Sequence, residues 1–169
     1  MADCSYEFYT IHVDSLSSST GNVFTSHLFR PLKDIVQVSV LNANFDASSS
    51  GSNVAYLYVD QLTSLFNENT GEPSANLITS IPFSKDRTRG SLARFNLAAT
   101  GRTIYEQQDY STQTQFIHPI EKVDRLSTQL LDENGESLIT TSNTFISYRF
   151  TCMRENLCPA PKKEKKRTK

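Results

Sequence analysis

A few places in the chain carry residue types that could do chemistry. Asp132-Glu-Asn134-Gly135-Glu136 sets oxygen ligands two residues apart ahead of a glycine, as at the start of a calcium-binding loop. An EF-hand loop needs that glycine at its sixth position and a bidentate Glu at its twelfth, between two helices. Here the glycine is fourth, Asn143 stands twelfth and strand-like sequence flanks the stretch, so it reads as a plain turn. His12, His27 and His118 are scattered singly, with His118 beside Pro119. A facial-triad metal enzyme would usually place two histidines close together with a carboxylate near them. Cys4, Cys152 and Cys158 form no CxxC pair, and structural zinc takes closely spaced pairs. They read as reduced thiols of a protein made in a cytosol.

Nucleophilic and phosphate chemistry lack their motifs as well. The chain has no Gly-x-Ser-x-Gly, no Gly-x-x-x-x-Gly-Lys and no Gly-x-Gly-x-x-Gly. The residues therefore lead us to expect no enzyme, no cofactor and no metal. What remains is charge. Lys162, Lys163, Lys165, Lys166, Arg167 and Lys169 give the last eight residues a charge of +5, against −6 for residues 1–161. Clustered Lys and Arg neutralise phosphates, so these six residues are the candidates for contact with nucleic acid or an anionic membrane. A nuclear-import signal or a merely solvated terminus would have the same composition. The loop Lys85–Arg89 is also basic but has few aromatic neighbours on which bases could stack.

These residues sit in a chain of 169, most simply one domain. A hydrophobic content of 37% and a charged content of 21% suit a globular fold. No apolar run approaches the roughly 20 residues that span a bilayer, and Met1–Ser5 lacks a basic segment followed by an apolar one, so no signal peptide is expected. Residues 1–158 are expected to form the folded domain. Pro159-Ala-Pro161 then acts as a stiff spacer before a disordered basic tail, the second region running from 159 to 169.

The folded part alternates with period two, the mark of half-buried strands. Leu126, Thr128 and Leu130 share one phase, and Ile146, Tyr148, Phe150 and Cys152 share another. With Asn134-Gly135 between them, they predict a long hairpin with Leu126, Leu130, Ile146, Tyr148 and Phe150 in the core. Further strands are expected at 6–13, 23–29, 54–60, 76–83, 91–98 and 116–120. Arg30-Pro31 should end the second of these, because proline has no amide hydrogen for a ladder. In 34–45, Val36, Val38 and Val40 keep one phase and Leu41, Ala43 and Phe45 the other, which predicts a β-bulge or a strand buried on both faces. Residues 61–66 suit one helical turn capped by Asp60. The polar stretch 103–115 has no firm assignment. About eight short strands with little helix describe an all-β antiparallel sandwich or barrel.

Two blocks carry a resemblance. One is Phe24-x-x-x-Leu28-x-x-Pro31-Leu32-x-Asp34-Ile35-Val36-x-Val38-x-Val40-Leu41. The other is Val123-Asp-Arg-Leu126-x-x-x-Leu130-x-Asp132-x-x-Gly135-x-x-Leu138, followed by the strand Phe145–Phe150. In order and spacing they resemble the single jelly-roll penton and minor capsid proteins of large icosahedral double-stranded DNA viruses, over about residues 6–152. The resemblance implies a jelly-roll β-sandwich of two four-stranded antiparallel sheets, with no catalytic residue. It implies a homo-pentamer that seals the capsid vertex in the virion, beside major and minor capsid proteins, after synthesis in the host cytoplasm. The basic tail would contact the internal membrane or nucleic acid. A minor capsid or cement protein beneath or between the capsomers is the nearest alternative. A ligand- or carbohydrate-binding sandwich, or a jelly-roll enzyme with a disguised metal site, are the alternatives of other classes.

Overall fold

The computed structural model describes residues 5–16, 23–48, 50–62, 90–99, 101–109, 112–138 and 140–154. Their strands are β1 (Tyr6–Asp14), β2 (Val23–Asp46), β3 (Val54–Val59), β4 (Ala93–Asn96), β5 (Arg102–Glu106), β6 (Gln113–Leu131) and β7 (Phe145–Met153). The helix expected from residue 61 is a single 3-10 turn, Asp60–Leu62, as far as the described residues go. The strand expected at 76–83, the loop Lys85–Arg89 and the tail lie outside the described residues.

The strands form one curled antiparallel sheet in the order β1-β7-β2-β6-β3-β4, with β5 also paired to β2. Its curl follows from β2, which is 24 residues long and serves two rows. Residues 35–44 of β2 pair with β7, and residues 42–46 pair with β5 on the other edge. Residues 23–33 pair with the C-terminal half of β6, which in turn pairs with β3, and β3 with β4. Within this one sheet, one row thus reads β1-β7-β2, continued by β5 against residues 42–46 and by residues 113–120 of β6 against residues 35–39, and the other reads β2-β6-β3-β4.

Buried residues from all seven strands form one core. Phe95 on β4 stacks at a tilt against Phe45 on β2 and Tyr105 on β5, with ring centroids 5.8 and 5.1 Å apart. Thr128 on β6 meets the Tyr148 hydroxyl of β7 at 3.4 Å. The expected core residues Leu126, Leu130, Ile146, Tyr148 and Phe150 are all buried. Full burial of such a side chain contributes about 1.5–3 kcal/mol relative to exposure.

Two prolines inside the long strands explain how β2 and β6 stay paired. Arg30-Pro31 does not end a strand as the sequence predicts. Residues 28–31 face Asp124 alone, between the pairs His27↔Arg125 and Leu32↔Val123. Further on, residues 116–119 of β6 face Val36 alone, between Ile35↔Ile120 and Gln37↔Gln115. Each irregularity adds three residues to one strand, and the second cancels the first. Pro31 and Pro119 each fall where ladder bonds are already interrupted, so their missing amide hydrogens cost little. The phase change expected in 34–45 is present too: β2 slips against β7 between Val40 and Asn42, leaving Val38 and Val40, then Ala43 and Phe45, all buried.

The predicted hairpin is corrected. β6 and β7 do not pair with each other; β6 lies between β2 and β3, and β7 between β1 and β2. The Asn134-Gly135 turn instead folds β6 back locally through a Leu131↔Ser137 bridge, before the chain reaches β7. Gly135 has φ 77°, while Asn134 is not left-handed. The error has a simple cause, since two apolar-phased strands on either side of a turn look alike whether they pair or face each other across a core. The polar stretch 103–115 holds β5 and the start of β6.

Candidate interaction surface

The stretches that could do chemistry are occupied structurally. The Asp132 carboxylate accepts hydrogen bonds from the amides of Asn134 and Glu136, each at 2.8 Å, and so caps its own turn. Among the described residues no cluster of His, Cys, Asp and Glu could hold a metal ion. His118 is exposed on β6. His12 Nδ1 lies 2.8 Å from Ser147 Oγ across the β1–β7 pair. Among the described residues no carboxylate is hydrogen-bonded to that ring, so the geometry is that of an exposed cross-strand polar pair. Burial pushes the Cys152 thiol up to about 11, with Glu7 and Asp34 adding to the effect. Lys162, Lys163, Lys165, Lys166, Arg167 and Lys169 lie outside the described residues.

What the sequence reading missed is an open flank. β1 ends the first row, and the 23–33 stretch of β2 ends the second. Between them lies a groove of about 700 Å³ lined by Tyr9, Ile11, Leu28, Phe29, Pro31 and Met153 among others. The three extra residues of β2 form its lip, and they lift Phe29 to 98% exposure. Arg30 and Lys33 stand exposed beside it. On the opposite lip the Tyr9 hydroxyl donates to Glu7 at 2.6 Å, and the Arg154 guanidinium pairs with the same carboxylate. The Tyr9 bond first, then Arg154, hold Glu7 below the usual carboxylate range, while the Tyr9 phenol is raised.

β1 itself is unusual for an edge strand. Natural edges are commonly blunted by lysine, proline or a bulge. β1 has none of these: its register against β7 is regular from Tyr6 to Asp14, and Tyr6, Phe8 and Tyr9 are exposed on it. The one sequence signal of the flank is Arg30-Pro31 amid residues of strand type, which marks a bulge as well as an end.

The far flank is polar. It is edged by β5 in one row and β4 in the other, held together by the Phe95–Tyr105 contact and by an Ala98 amide bond to Thr103 Oγ1 at 3.1 Å. Leu41, Asn42, Glu106, Gln107 and Gln108 line a shallow recess of about 510 Å³ there. Asp109, whose carboxylate caps the turn by accepting from the Glu106 amide at 2.9 Å, stands next to it.

No protein-family model matches this chain, and a search of curated proteins finds no significant match.

Proposed function

We propose that the chain is a jelly-roll penton protein, a structural component of the virion that assembles as a pentamer and seals the five-fold vertex of a large icosahedral capsid. The observation that supports this reading is a nearly all-β, curled antiparallel sheet in which the long strands β2 and β6 pass from one set of neighbours to another. A jelly roll would fold such a sheet into two four-stranded layers over one core. The strand blocks that resemble capsid jelly rolls, at 24–41 and 123–150, fall on β2, β6 and β7.

A jelly roll suits a vertex because its layers make a rigid block while its flanks and loops stay free to meet neighbours. Five copies form a ring of head-to-tail contacts, in which one patch meets a different patch on the next copy. Major and minor capsid proteins are the outer neighbours of that ring. The basic tail, carrying Lys162, Lys163, Lys165, Lys166, Arg167 and Lys169, contacts the internal membrane or the genome. Quantitative mass spectrometry of purified particles tests the role. The expected result is this chain at a copy number far below that of the major capsid protein, in the ratio set by the vertices. A copy number that scales with the capsomers instead would make it a minor capsid or cement protein.

A further inference from the structure

The two flanks differ in chemistry in a way that matches one to the other. The open flank presents an almost fully exposed aromatic ring, Phe29, raised on a bulge and flanked by Arg30 and Lys33. The far flank presents a recess lined by Leu41, Asn42, Glu106, Gln107 and Gln108, with the Asp109 carboxylate accepting from the Glu106 amide beside it. Among the described residues Arg30 and Lys33 are in no ion pair, and Glu106 and Asp109 have no cationic partner. A ring at 98% exposure buries almost none of its apolar surface within one copy.

We propose that the open flank of one copy docks against the far flank of a second copy, with Phe29 over the recess and Arg30 and Lys33 facing Glu106 and Asp109. This rests on the ring assembly proposed above and names its contact. Because the two patches differ, the contact is heterologous, and each copy keeps one patch free for the next. The two patches also belong to one strand. Residues 27–33 lie near the start of β2, and Asn42, paired with Glu106, lies near its end. Roughly 40 Å of strand at about 3.3 Å per residue separates them, before bending. That span carries the contact from one side of the block to the other. Exposed charge pairs are individually weak, so the charges select partner and register while the aromatic ring fills the recess.

The test mixes unlabelled and nitrogen-15-labelled full-length protein at high concentration. A zero-length carbodiimide crosslinker then joins amines to carboxylates in contact, and the linked peptides are identified by mass. The expected result is mixed-isotope peptides joining Lys33 to Glu106 or Asp109. They should be lost in an R30E/F29S variant whose melting curve is unchanged. Mixed-isotope links joining other surfaces would overturn this contact and leave the ring standing. Complete absence of mixed-isotope links would overturn both.

Discussion

Phe95 and Tyr105 hold ring centroids 5.1 Å apart although their strands, β4 and β5, share no ladder. The contact closes the far flank of the block. The Tyr105 hydroxyl is also within 3.0 Å of Thr112 Oγ1, which ties the turn before β6 to the same point. Tilted aromatic pairs are worth about 0.5–1.5 kcal/mol beyond area burial. A double-mutant cycle with Phe95→Leu and Tyr105→Leu, followed by denaturant unfolding, should return a coupling energy in that range. Additive losses would show that the two rows are not coupled there.

The core assignment gives a second expectation. Leu130 on β6 and Phe150 on β7 are both buried, on strands that share no ladder. Leu130→Ala and Phe150→Ala should each cost about 2–5 kcal/mol in denaturant unfolding, through lost transfer energy plus a cavity. Either variant leaving stability within error of the parent would contradict the assignment.

Much of this was legible in the sequence because period-two alternation reports which face is buried. Leu126, Leu130, Ile146, Tyr148 and Phe150 were all identifiable in that way, as was the bulge near Leu41. Pairing was not legible. β6 and β7 carry the alternation of hairpin partners but share no ladder, since the pattern records a buried face and not the neighbour across the ladder. The bulge at 28–31 was hidden for a related reason. Proline marks the loss of one ladder bond, and only the partner strand shows whether the chain stops or loops out and resumes. The Phe29 groove draws its lining from three separate stretches, residues 7–11, 27–34 and 152–154, and Arg30-Pro31 is its one local signal.

Cys152 predicts a pH dependence. Its thiol titrates near 11 in the folded protein against an ordinary value of 9.0, chiefly because burial disfavours the thiolate. A folded-state value raised above the unfolded one means the folded state holds the proton longer. The stability it contributes is full below about pH 9 and falls as pH rises toward 11. In a C4S/C158S background, unfolding free energy should drop between those pH values, and Cys152→Ala should remove that part of the drop. The same thiol should react with iodoacetamide at pH 8 much more slowly than after denaturation. Equal rates would contradict its burial.

Deletion of residues 160–169 separates the tail from the fold. The expected outcome is an unchanged cooperative melt, with weaker binding to DNA or to anionic vesicles. The binding of the full chain should fall steeply with salt, as charge neutralisation requires. Loss of the cooperative melt would make the tail part of the fold instead.

The most direct test of the vertex assignment is a density map of the five-fold axis in particles that contain this protein. The account predicts a ring of five copies at that axis, each with β1 and the Phe29 bulge turned toward the β4–β5 flank of the next. Density at the axis that cannot hold this chain, with the protein found beneath the capsomers, would contradict it.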